Sequence, residues 1–306
     1  MSTLCDALFE PESPLDRKDT LIVFDTSWLS YAAATAKAYN QLSFDGKPTG
    51  HIFGSMSKIL AAFNAYGKRN LAKTELIFVF DEYPEAAYEI FPEYKHGRVK
   101  VFDPVPDVKN MVSLFSCHQA FASKTEADHV IGTIVTEYHR SHNIYIISAD
   151  KDLWQLFGLP NVAITPRLND PATQAAFEKK FGIKETSGIA LHKAIFGDSS
   201  DNIPKLQGTL SHKVIKKYID LSDGTPENLY SLLETRPEEM KQSVYDILAT
   251  NKEWVHKIYG LTKLQTDTPY SMIDNSLDMS EVSKLQDFLY TYGINKFDNK
   301  ISNLFY

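Results

Sequence analysis

The sequence predicts an α/β protein, a mainly parallel, helix-covered sheet followed by a helical C-terminal subdomain. Three observations predict it. Short apolar runs rich in β-branched and aromatic residues, LIVF, LIFVF and IYIIS, have the length and composition of buried parallel strands. Segments of helical period alternate with them, as in a parallel sheet built from crossover units. Beyond about Lys184 the strand pattern stops and helical segments take over.

In chain order, Leu21 to Phe24 is the first strand, and a helix is expected from Ser27 through an alanine-rich stretch to Tyr39. QLSFDGKPTG is a loop. The next helix runs from His51 to Tyr66, with Ile52, Phe53, Met56, Ile59, Leu60 and Phe63 on one face. Leu76 to Phe80 is the second strand. The stretch from Glu82 to Pro106 has four prolines and no clean period, which marks a long functional loop or arch. A helix over 125–140 buries Ala127, Val130, Ile131, Ile134, Val135 and Tyr138. Ile144 to Ser148 is the third strand. A short helix containing Leu153, Trp154 and Leu156 follows, then a weaker strand, NVAITP. Helices are expected over 189–196 and 212–219, separated by the polar turn GDSSDNIPKLQGTLS, with further helices filling 226–306. The expected domains are an N-terminal extension (1–19), an α/β core (20–184) and a helical subdomain (185–306).

A chain of 306 residues with 43% hydrophobic and 12% aromatic residues can bury a large core. No run reaches the roughly 18 apolar residues of a membrane span. The acidic, proline-broken N-terminus fits neither a secretory signal nor a transit peptide. Cys5 and Cys117 form no disulfide framework and no zinc pattern, so a reducing cytoplasm is the expected compartment. The net charge of −7 argues superficially against nucleic acid, yet a clustered acidic site alone could supply that excess.

The acids carry the chemistry. Asp25, Asp81 and the pair Asp150 and Asp152 each follow an apolar run, where open α/β sheets place their ligands. Glu126 and Asp128 in TEADHV, and Asp198 and Asp201 in GDSSDN, can join them. Singly, each could be a helix cap or a solvated loop residue. Together, eight carboxylates at one edge would repel each other unless divalent cations neutralise them, and hard oxygen ligands suit Mg²⁺ or Mn²⁺.

At this point the sequence resembles the 5′-nuclease family: flap endonucleases, phage 5′–3′ exonucleases and phage ribonuclease H, and the 5′-nuclease domain of bacterial DNA polymerase I. The resemblance covers about Leu21 to Ile219. It rests on VFDTSWLSYAA, DGKPTGHIFGSMSKIL, IFVFDEY, FPEYKHGR, TEADHVIG, ISADKDLWQL and GDSSDNIP, in the family's order. With this resemblance, the short length leads to the expectation of a stand-alone phage-type enzyme without a polymerase. The resemblance implies a PIN-like nuclease core in which Asp25, Asp81, Glu126 and Asp128 form one metal site and Asp150, Asp152, Asp198 and Asp201 a second. Several of them would act through coordinated water. It also implies an arch over about 82–122, with Lys95 and Arg98 near the scissile phosphate. A helix–turn–helix over 186–220 would grip duplex phosphates, with local charge from Lys205, His212, Lys213, Lys216 and Lys217 and a potassium ion held at the turn around Gly208. The implied substrates are branched or 5′-ended duplex DNA and RNA–DNA hybrid, with replication proteins as partners in replication or repair.

Three positions depart from the family pattern. His129 stands where a third acid is common, and either ligates through water or packs. Ala87 lies near the place of an arch arginine. The turn reads Gly208, Thr209, Leu210 where the family has Gly-x-Gly, which weakens the expectation of a cation site. The chemistry expected is two-metal hydrolysis of a phosphodiester to a 5′-phosphate and a 3′-hydroxyl. Two other functions make different demands on the sequence. A phosphatase of the haloacid-dehalogenase type would need an acid at Ser27 and a strand before Gly197. A non-catalytic binder of branched nucleic acid would be expected to lose more of the acids.

Overall fold

The computed structural model describes residues 19–67, 74–97, 102–167, 170–208 and 210–305. Six strands form the main sheet: β1 (Asp19–Asp25), β4 (Thr74–Val79), β5 (Cys117–Phe121), β6 (His142–Ile147), β7 (Val162–Ile164) and β8 (Ser271–Asn275). Their order is β7-β6-β1-β4-β5-β8. All neighbours are parallel except β8, which pairs antiparallel with β5 at the edge. Two short strands, β2 (Ser43–Phe44) and β3 (Lys47–Pro48), make a hairpin in the stretch read as a loop.

The alternation along β1 and β4 decides how the sheet is covered. Ile22, Phe24, Leu76 and Phe78 point into one cluster; Leu21, Val23, Ile77 and Val79 point into another. Helices α1 (Thr26–Thr35), α2 (Gly50–Ala62) and α4 (Val105–Val112) lie on the first side. There Phe24 stacks on Phe78 with ring centroids 4.7 Å apart, and Phe115 meets Phe78 edge-on at 5.8 Å. Helix α5 (Ala127–Tyr138) covers the second side with Val130, Ile131, Ile134 and Val135, all fully buried. Each such side chain contributes roughly 1.5–3 kcal/mol of burial. Gly132 on α5 must lack a side chain, because a Cβ there would lie 2.5 Å from the Gln265 carbonyl oxygen.

A third cluster sits beyond the carboxyl ends of the strands. It is built by α6 (Gln174–Phe181), α7 (Gly188–Phe196), α8 (His212–Leu221), α9 (Pro226–Leu232), α10 (Gln242–Thr250) and α11 (Lys252–Thr262). Helix α3 (Glu85–Ile90) leans on it through Ala87 and Tyr88.

The structure corrects three expectations. The segment 82–122 is not one free arch: α4 packs on the sheet and Cys117–Phe121 is an interior strand. Residues 226–306 are not all helical, since β8 extends the sheet. Helix α12 (Val282–Thr291) and Ile301–Leu304 then pack back on the first cluster. Helix α6 lies in a stretch for which the sequence pattern predicts no element. The N-terminal extension falls almost wholly outside the described residues. Among the described residues no helix is long and apolar enough to cross a membrane.

Candidate metal-dependent nuclease site

β1 lies between β6 and β4, and the chain reverses direction of growth there, so a crevice opens at the carboxyl ends of these strands. Asp25 ends β1 and caps α1, its Oδ1 accepting from the Trp28 amide at 2.9 Å. The Ser148 hydroxyl donates to its other oxygen, also at 2.9 Å. Asp81, two residues past β4, accepts from the Ala127 amide at 2.7 Å, which ties β4 to the start of α5. Asp150 follows β6; its amide donates to Ser148 Oγ, and its Oδ1 accepts from the Asp152 amide at 2.8 Å.

Asp198 and Asp201 come from the turn after α7. Gly197 makes that turn possible with φ of +75°, and a Cβ there would lie 2.5 Å from the Lys205 amide nitrogen. Asp198 Oδ1 accepts from the Ser200 amide at 2.9 Å. The Asp201 carbonyl accepts the Lys95 amide at 3.0 Å, and Asn202 Nδ2 donates to the Glu93 carbonyl at 2.8 Å. The PEYK segment is thereby fastened over the turn.

All eight acids converge in one electrostatic cluster. Burial, then Asp81 and Asp150, push Asp25 up to about 7. Asp152 is also raised to about 7, by burial first and by Asp150 and Asp201, against the pull of Lys193. Asp128 is raised by burial and by Glu126, Asp152 and Asp150. Burial would raise Asp198 as well, but Lys193 and Ser200 hold it at about 2.

Two ammonium groups stand among these acids. Lys193 on α7, 4% exposed, contacts Asp152 and lies 2.7 Å from Asp198 Oδ2 and 3.7 Å from Asp201 Oδ2. Lys95 contacts Glu126 and lies 3.8 Å from Asp201 Oδ1. Both lysines are held above their ordinary pKa, their carboxylate partners outweighing burial. Tyr94 donates to Glu126 Oε2 at 2.8 Å.

Among the described residues, no three metal-ligating side chains already enclose a point at coordination spacing. The lysines take up part of the charge compensation instead. The donor set itself is all hard oxygen and lacks cationic charge for eight carboxylates, which fits Mg²⁺ or Mn²⁺ rather than a thiolate-preferring metal.

The remaining predicted residues divide. Lys205 lines a cavity beside Asp198. His212 stacks on Phe196 at 4.4 Å, and Lys216 lies 5.9 Å from the same ring. Lys213 is exposed at the start of α8, whereas Lys217 pairs with Glu239 at 2.7 Å and is partly neutralised. Gly208 is exposed with φ of +111°. Arg98 and Thr209 lie outside the described residues. His129 has a packing role: its Nδ1 accepts from the Gln265 amide at 3.1 Å, and burial lowers its pKa.

Sequence reasoning missed Lys193, Tyr94 and Ser148. Lys193 had a signal, a lysine inside the apolar run LHKAIF, because a buried lysine needs acidic partners.

A helix-covered parallel sheet carrying this carboxylate cluster defines the resolvase-like class of nuclease domain. The 5′-3′ exonuclease, N-terminal resolvase-like domain family matches residues 20–182. A 5′-3′ exonuclease of Buchnera aphidicola (subspecies Acyrthosiphon pisum) is 30% identical, covering 83% of this chain and 89% of that protein. One of Aquifex aeolicus is 27% identical, covering 94% and 96%. The chain belongs to the 5′-3′ exonuclease family. The DNA polymerase I of Lactococcus lactis (subspecies cremoris) is 27% identical over 94% of this chain but only 33% of its own length. The fold is shared with the T5 D15 protein crystallised with metal ions, at a TM-score of 0.61 and 18% identity, covering 92% of this chain and 99% of that one. It is also shared with the catalytic core of Rad2, at 0.55 and 17%, covering 98% and 96%.

Proposed function

We propose that this chain is a structure-specific 5′ nuclease, acting as a 5′–3′ exonuclease and flap endonuclease on branched or 5′-ended duplex DNA and on RNA–DNA hybrid. The observation that carries the reading is the meeting of eight carboxylates from separate segments at one sheet edge, six of them buried or half-buried and Asp81 and Asp150 exposed, under a segment held by Lys95 and Asn202. Asp25, Asp81, Glu126 and Asp128 hold one divalent cation, and Asp150, Asp152, Asp198 and Asp201 a second, Mg²⁺ with Mn²⁺ as substitute. When bound, such cations supply an activated water and neutralise phosphate charge. The protein's own residues do the rest. Lys95 and Arg98 offset charge gathering on the phosphate. Lys205, His212, Lys213 and Lys216 place the duplex through its phosphates, with the Gly208 turn as the candidate potassium site. Residues 20–184 are the catalytic core and 185–306 the duplex-binding part. Products carry a 5′-phosphate and a 3′-hydroxyl. The setting is cytoplasmic replication or repair alongside replication proteins, with a phage-type enzyme as the pattern.

Cleavage of a labelled 5′ flap, a nicked duplex and an RNA–DNA hybrid with Mg²⁺ tests the reading. Asp150→Ala and Asp152→Ala abolish cleavage while duplex affinity persists, because affinity comes mainly from phosphate contacts. Turnover near the parental rate in both variants, or hydrolysis of p-nitrophenyl phosphate with none of DNA, rejects it.

A further inference from the structure

Beside the acidic cluster the chain forms a cavity of about 460 Å³. Asp198 and Lys193 belong to both, so the two spaces are continuous. Lys151, Lys180 and Lys205 line the cavity. Among the described residues none of these three has a carboxylate within ion-pair reach, in contrast to Lys95, Lys193 and Lys217. Lys180 rests on the Trp154 ring at 4.8 Å. Burial first, and then Lys151 and Lys193, lower its pKa, against an opposing pull from Asp150.

The remaining wall includes the rings of Phe181, His192 and Phe196 beside Ile203 and Pro204, and His212 packs behind Phe196. His192 lies 4.7 Å from Phe196, and His212 stacks on Phe196 at an interplanar angle of 17°. Burial and the neighbouring cations hold His192 neutral, at about 4. The volume lies within the range of about 300–1,000 Å³ usual for small-ligand sites. Three unpaired ammonium groups favour a phosphate, and half-exposed aromatic rings favour a base.

We infer that this cavity binds a 5′-phosphorylated nucleotide, with the phosphate among Lys151, Lys180 and Lys205 and the base against Phe196. The nucleotide is either the free product of exonucleolytic cleavage or the 5′-terminal unit of a strand. The assignment of that source rests on the nuclease reading; the binding itself does not.

The test is calorimetric titration of the full chain, in EDTA and at low salt, with dAMP, deoxyadenosine, inorganic phosphate and a 5′-phosphorylated dinucleotide. Without divalent cations the carboxylate cluster repels phosphate, so the heat reports the cavity. The expected result is that dAMP binds and deoxyadenosine binds at least about tenfold more weakly. Lys180→Ala and Lys205→Ala each weaken dAMP by about tenfold, and Lys180→Arg restores it. Phe196→Ala weakens dAMP but leaves inorganic phosphate unchanged. Binding of the dinucleotide alone assigns the site to a strand terminus; binding of dAMP as well assigns it to free product. Absence of binding by all the phosphorylated probes, or affinity indifferent to both lysine-to-alanine changes, overturns the inference. Flap cleavage measured in parallel with Mg²⁺ separates the two readings, since its loss in the parent protein rejects the nuclease and leaves the calorimetric result intact.

Discussion

Lys193→Met replaces an ammonium by an uncharged chain of similar length at the centre of the second carboxylate group. The lysine is 4% exposed and lies 2.7 Å and 3.7 Å from Asp198 and Asp201 while also contacting Asp152. Removing one partner of a buried ion pair costs about 3–5 kcal/mol, because the other charge is left uncompensated. Here three carboxylates are left. Protonation of Asp152, already raised to about 7, relieves part of that cost near neutral pH. A loss of about 3 kcal/mol in metal-free urea unfolding is therefore the expected value. A divalent cation supplies the missing charge, so saturating Mg²⁺ should recover most of it. The same logic predicts that the variant binds the first Mn²⁺ more tightly than the parent, since its carboxylates no longer share an ammonium. Urea unfolding at pH 7.5, with EDTA and with millimolar Mg²⁺, gives the first two values, and Mn²⁺ titration gives the third. An equal loss of stability with and without metal, together with unchanged Mn²⁺ affinity, refutes the account of Lys193 as an internal counter-cation.

Three further outcomes follow from the site. In the metal-free protein, Asp25 and Asp152 are raised from 3.8 to about 7, so the folded state binds more protons than the unfolded chain between those values. Stability then falls as pH rises from about 4 to 7, by at most about 4 kcal/mol per acid before coupling, and Mg²⁺ should stabilise more at pH 8 than at pH 5; a flat thermal-unfolding profile over this range contradicts it. Lys95→Ala should lower single-turnover cleavage by an amount equivalent to roughly 2–4 kcal/mol, with a smaller effect on duplex affinity, as for loss of a transition-state donor; an unchanged rate at saturating enzyme makes Lys95 a structural partner of Glu126 only. Lys213→Glu with Lys216→Glu should weaken duplex binding and reduce the log–log salt slope by about 0.9 for each lost phosphate contact. Equal weakening on single strands assigns these lysines to a general basic surface.

The sequence by itself determined the central strands β1, β4 and β6 and the order of the acids that follow them. LIVF, LIFVF and IYIIS are buried on both faces apart from the half-buried Tyr145, so their apolar runs are local signals that need no partner to be read. An acid directly after such a run has little choice of position, which is why Asp25, Asp81 and Asp150 were legible. Where local pattern and environment disagree, only the tertiary structure could decide. Cys117–Phe121 has two polar residues among its five, and joins the sheet because β4 offers it an edge. Ser271–Asn275 is exposed along most of its length, so burial left no alternation to read, and it is a strand through hydrogen bonding to β5 alone. The same holds within the site. Tyr94 meets Glu126 across 32 residues of chain, and Ser148 meets Asp25 across 123. Lys193 is the clearest instance: its helix is fixed by apolar neighbours, but the charge it carries is tolerable only because folding brings Asp152, Asp198 and Asp201 around it.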